Sequence, residues 1–255
     1  MTVYTCNRDW ISMLTCIHVA WSGRLGYNNL RLELEPVEQQ TLFDKYIFVE
    51  ADETKANSVT DAVNLKISPE VYRELAFESM AFEADVLDNI YRVMVLGFAY
   101  GPHVLEMTQY EPVMRSNLIR RRLGREVCSF KEFTRFHQVS PSLLVAHIEP
   151  KSNLLITLGP AFEDRMPSEN WMIVDDVHRE AIIHPADKDF YIQTLSNAEY
   201  KTLLQTESMN DEYTDMWRVF FDSISIKERE NRKVQLSHFP LWMQKHAVEF
   251  ADRQH

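Results

Sequence analysis

The feature that most limits the fold is a helical block running from Asp52 to about Cys128, set between two stretches of strand composition. Asp52 can cap a helix whose apolar face is Val59, Ala62, Val63 and Ile67. Ser68-Pro69-Glu70 then restarts the helix with a capping hydroxyl, a preset first turn and a carboxylate near the positive end of the dipole. Val86, Ile90, Val93, Met94 and Phe98 keep the spacing of one buried face, and Gly101-Pro102 closes it. Residues 113–127 predict a further helix. Residues 2–6, 46–49, 143–148, 171–174, 181–184 and 190–195 read as strands, with 171–174 and 181–184 forming a hairpin. Strands and helices grouped in blocks predict an α+β fold, helix-rich with a small, mainly antiparallel sheet.

Within that frame, Asn7 is the expected cap of a helix carrying Ile11, Leu14, Ile17, His18 and Trp21, with Gly23 ending it and His18 in the core. A polar loop is expected through Glu33, Glu35, Pro36 and Glu38. Leu154, Leu155, Leu158 and Phe162 suggest a helix that Gly159-Pro160 kinks or splits. Tyr213, Trp217, Phe220, Phe221 and Ile224 mark one face of a long C-terminal helix, which the polar run KERENRK continues towards Pro240. No internal repeat or Gly/Ser linker appears, so residues 1–255 read as a single unit. A soft boundary near 110 separates a helical part, 1–110, from an α+β part, 111–255.

Charge narrows the function classes. A net charge of −11 excludes a uniformly basic nucleic-acid coat, so any polyanion contact must be local. The sign reverses along the chain: residues 31–90 hold fourteen acidic and five basic side chains, whereas 113–137 hold seven basic and two acidic ones. Arg121, Arg122, Arg125 and Arg135, with Phe130, Phe133 and Phe136 nearby, have the makings of a phosphate-binding and base-stacking surface. Lys227 and Arg229 could extend it. Alternatively the arginines pair with the acidic block and the phenylalanines fill the core.

Cys6, Cys16 and Cys128 have neither paired nor clustered spacing, which suits a reducing compartment and three buried thiols. No stretch is apolar enough for a membrane span, no leader is apparent, and no phosphate-cradling glycine motif occurs; the expectation is a cytoplasmic protein with no membrane partner and no nucleotide cofactor. Asp175, Asp176, His178 and His184 have metal-ligand chemistry, but spacing fixes no third ligand, so no metal is expected. Glu149, Asn153, Arg165, Asp176 and Arg179 lie near predicted strand and helix ends, where they could orient a base or a substrate.

The residues Trp217, Phe220, Phe221, Ser223, Ile224, Ile226, Lys227, Glu228, Arg229 and Asn231, followed by Gln235, Pro240 and Trp242, resemble a bacterial family of probable DNA metabolism proteins. Arg125-Glu126, Arg135-Phe136, His147-Ile148-Glu149-Pro150 with Asn153, Phe162 with Asp164-Arg165, and Asn170-Trp171 with Asp176 and Arg179 look like further landmarks of that family. The resemblance implies a role in DNA metabolism, beside a putative DNA-modification or repair radical SAM protein, and in some relatives fusion to a uracil-DNA glycosylase-like domain. Ala161 stands where relatives commonly have histidine, which argues against an indispensable acid-base histidine there. With the chain ending soon after Trp242, no glycosylase-like domain is expected. Three scattered cysteines cannot supply a radical enzyme's cluster, so the implied role is that of its companion.

The leading expectation is therefore an accessory protein binding DNA or a radical SAM partner through Arg121, Arg122, Arg125, Arg135, Lys227 and Arg229. One alternative is a hydrolase or lyase acting on a nucleic acid or nucleotide from a polar pocket around Glu149, Arg165, Asp176 and Arg179. Another is an adaptor that binds protein alone.

Overall fold

A computed structural model describes residues 1–37, 40–204 and 231–244, together with Met216, Val219, Ser223 and His246. The fold is α+β. It divides into two compact units, Met1–Leu123 and Gly124–His255.

The first unit opens with β1 (Thr2–Cys6), α1 (Trp10–Ser22), β2 (Leu30–Leu34) and β3 (Lys45–Phe48). β1 pairs in parallel with both β2 and β3, in the order β2-β1-β3. The expected polar loop thus contains a strand. Its signal is the alternation Leu30, Leu32, Leu34, all buried, with Arg31 and Glu33 turned outward. The cap of α1 is Asp9, two residues beyond the expected Asn7, because Asp9 accepts from the Ser12 backbone N–H at 2.8 Å. Helices α2 (Glu53–Lys66) and α3 (Pro69–Glu78) start at Asp52 and Ser68, whose side chains accept from Lys55 and Val71 as the sequence indicates. After α4 (Val86–Tyr100), Gly101 takes φ of 81°, which only glycine adopts without strain, and a short 3-10 turn follows. Val63, Leu75, Val86, Leu87, Ile90 and Val93 close the core of this unit.

The long helix α5 (Glu111–Phe133) runs into the second unit, whose five strands are β4 (His137–Ser140), β5 (Leu143–Ile148), β6 (Trp171–Asp175), β7 (Glu180–His184) and β8 (Tyr191–Thr194). They lie in sequence order. The pairs β4–β5, β6–β7 and β7–β8 are antiparallel, and β5–β6 is parallel. This sheet is thus mainly antiparallel, as expected, with one parallel pair; the described residues also form the wholly parallel three-stranded sheet of the first unit, which the sequence reading did not foresee. Parallel strands need a crossover, and α6 (Leu155–Arg165) supplies it between β5 and β6. α6 stays unbroken through Gly159-Pro160.

Further along come α7 (Asn197–Leu204), α8 (Arg232–His238) and α9 (Leu241–Gln244). Most of the expected long C-terminal helix, with Lys227 and Arg229, lies outside the described residues. Cys6 and Cys16 are buried as expected, but Cys128 is exposed, because it falls on the outer face of α5. Among the described residues, no helix is long and apolar enough to cross a membrane.

Candidate functional site

The parallel pairing of β5 and β6 builds the site. Parallel neighbours end side by side, so the residues just past Ile148 and Asp175, which are register partners, come together. Those residues are Glu149 and Asp176. The Asp176 N–H continues the ladder, donating to the Ile148 carbonyl at 3.0 Å. His147, two residues before Glu149, shares its face of the strand. His147 Nδ1 lies 3.1 and 3.2 Å from the two oxygens of Asp176. A carboxylate only accepts, so Nδ1 carries a proton; in the neutral imidazole Nε2 would then present the lone pair. The His147 side chain is 1% exposed, and Nε2 is buried with no hydrogen-bond partner among the described residues.

His246 completes the cluster. Its Nε2 is 3.7 Å from Glu149 Oε1 and 3.9 Å from Asp176 Oδ2. The His246 and His137 rings each lie roughly parallel to that of His147, at centroid distances from it of 6.3 and 6.1 Å. His147, Glu149 and His246 line a cavity of about 10 Å³, roughly the space of one water, whose remaining wall includes Phe130, Phe133, Phe239 and Trp242. Behind it, buried Glu126 on α5 accepts from the Lys151 N–H at 2.7 Å, the Ser152 N–H at 3.3 Å and the Ser152 hydroxyl at 2.8 Å. Those bonds pin the loop that leaves Glu149. A buried imidazole held by one carboxylate, with two more titratable groups converging on it, can move a proton or share a cation.

The other expected site residues do not join this cluster. Asn153 donates to Glu180 Oε2 at 3.0 Å, Arg165 donates to the Lys131 carbonyl at 3.3 Å, and the Arg179 guanidinium lies 3.4 Å from the centre of the Tyr200 ring. The quartet Asp175, Asp176, His178 and His184 is dispersed by the hairpin. Asp175 accepts from the Val177 and His178 N–H groups and meets His178 Nδ1 at 2.7 Å, which makes it a turn residue. His184 stacks flat on Trp171 at 4.7 Å. Asp176 alone goes to the cluster.

The basic segment splits in two. Arg115 and Arg122 pair with Asp85 and Glu83 at 2.8 and 2.7 Å, and Arg120 pairs with Glu74. Arg121 and Arg125, one turn apart on α5, are exposed and make no ion pair among the described residues. Arg135 donates to the Glu132 carbonyl at 2.8 Å. Phe133 stacks on Phe239 at 3.9 Å and Phe136 packs edge-on against Phe162 and Trp171, so these rings are held by other aromatics.

Sequence reasoning found Glu149 and Asp176 but not His147 or His246. His147 had a readable signal, its two-residue spacing from Glu149 on a predicted strand. His246 had none, since only the folded chain brings it to the strand ends.

The class defined here is an α+β protein with a histidine and carboxylate cluster at the carboxyl ends of two parallel strands. Residues 84–249 match the model of the DUF4130 family, a domain of unknown function, and the chain belongs to that family. No curated protein matches it.

Proposed function

We propose that this chain serves DNA metabolism by acting on a nucleic acid or nucleotide, with hydrolysis centred on His147, Asp176 and Glu149. The supporting observation is the buried His147, which is fixed through Nδ1 by Asp176, lacks a hydrogen-bond partner at Nε2 among the described residues and lines a water-sized cavity. In this mechanism His147 Nε2 takes a proton from water, Asp176 stabilises the imidazolium, and Glu149 orients the water. Phe130, Phe133, Phe239 and Trp242 wall the cavity with apolar surface, which limits bulk water beside the imidazole. The likeness of the sequence to probable DNA metabolism proteins supports the choice of substrate.

The test is turnover of a panel of nicked, modified-base and single-stranded DNA and of free nucleotides by the full chain. Activity should be lost in His147→Ala and fall sharply in Glu149→Gln. Activity that survives both substitutions, or none on any substrate, overturns the hydrolytic reading.

A second reading rests on the exposure of Arg121 and Arg125, which have no acidic partner among the described residues. In it the chain is an accessory protein that holds DNA, or a radical SAM partner enzyme, without chemistry of its own. Binding to short DNA should then weaken steeply with salt and disappear in Arg121→Glu/Arg125→Glu. Co-purification with the partner enzyme in the absence of DNA binding would select the protein-only adaptor instead.

A further inference from the structure

Glu149, Asp176 and His246 each present one ligand atom, and the three atoms lie within 4.8 Å of one another. Two atoms bound to one first-row ion at about 2.1 Å can be no more than about 4.2 Å apart. The gaps of 3.7 and 3.9 Å from His246 Nε2 to the two carboxylates already satisfy that limit. The Glu149 and Asp176 carboxylates come within 4.8 Å of each other, a range at which like charges repel unless a positive charge sits between them.

His147 supplies an independent indication. Its side chain is 1% exposed, it lines the same cavity as Glu149 and His246, and its Nε2 has no hydrogen-bond partner among the described residues. Through Nδ1 it also holds Asp176, as an outer histidine orients a metal-binding carboxylate. A cavity of about 10 Å³ leaves space for one ion-bound water, which could donate to that idle nitrogen.

We propose that Glu149, Asp176 and His246 bind a divalent transition cation, with His147 as the positioning residue that orients Asp176 and receives a hydrogen bond from the ion's water. One imidazole with two carboxylates suits Mn²⁺, Fe²⁺ or Zn²⁺ over Ca²⁺ or Mg²⁺, which favour oxygen ligands alone. The site is the one proposed above to carry the chemistry, but ion binding does not depend on turnover.

The experiment titrates the full, chelator-stripped chain with Mn²⁺, followed by the loss of the free-ion signal in electron paramagnetic resonance, and with Zn²⁺, followed by calorimetry. One ion should bind per chain. Glu149→Gln and Asp176→Asn should each weaken binding at least about tenfold, and His147→Gln roughly 10- to 100-fold, with unchanged far-ultraviolet circular dichroism. Should Asp176→Asn unfold the chain, Glu149→Gln, whose side chain is 30% exposed, decides the matter. No binding up to millimolar ion, or unaltered affinity in Glu149→Gln, overturns the site. Ion binding without turnover would keep the site and remove the hydrolytic reading; turnover indifferent to chelation, with no ion bound, would do the reverse.

Discussion

His147 and Asp176, 29 residues apart in sequence, are joined by a two-oxygen hydrogen bond across the ends of parallel strands. The pair is almost wholly buried, at 1% and 5% side-chain exposure. Removing the acceptor leaves a buried N–H without a partner, which costs about 1–3 kcal/mol. Asp176→Ala should therefore destabilise the chain by that amount in urea unfolding, and Asp176→Asn, which keeps an acceptor, by less.

Glu126 should matter more than its position on a helix suggests. It is 8% exposed and accepts three hydrogen bonds from Lys151 and Ser152, two of them from backbone N–H groups that have few other routes to satisfaction. Glu126→Ala should cost about 2–4 kcal/mol, since bonds to a charged acceptor are stronger than neutral ones. Denaturant midpoints would measure this, and Glu126→Gln should recover part of the loss.

Much of the fold was legible because local signals act alone. Ser68-Pro69 caps α3 whatever surrounds it, and Gly101 ends α4 by its own backbone freedom. The strand Leu30–Leu34 had a plain alternation that the neighbouring acids and proline obscured. The site was harder to read because it depends on pairing. Nothing in the neighbourhood of Asp176 says that it will meet His147 instead of His178, since that outcome is set by the parallel register of β5 and β6. The arginines show the same limit: Arg120 and Arg121 are adjacent in sequence, yet helical rotation points one at Glu74 and the other into solvent.

Gly159 is required by packing. A methyl group there would stand 2.5 Å from the Phe190 ring, far inside van der Waals contact. Alanine is the better helix former by about 1 kcal/mol, but overpacking costs typically 1–3 kcal/mol, so the clash should win. Gly159→Ala should lower stability, and adding Phe190→Leu should recover part of that loss; simple additivity in the double variant would contradict the contact.

Glu78 gives the first unit a pH dependence of definite sign. The side chain is fully buried, with Asn89 Nδ2 donating at 2.9 Å and the Ser116 hydroxyl donating to its other oxygen. Burial dominates over these hydrogen bonds and over the Arg120 charge, and pushes the carboxyl up to about 7 from an ordinary value of 4.5. The folded chain thus binds a proton that the unfolded chain releases between those two values, so this contribution to stability is complete below about pH 4.5 and lost as pH rises through 7. Its size is on the order of 3 kcal/mol. Glu78→Gln keeps the shape without the ionisation. Urea unfolding followed from pH 5 to 8 should show the native chain losing stability relative to Glu78→Gln as pH rises, and parallel profiles for the two proteins would rule the effect out.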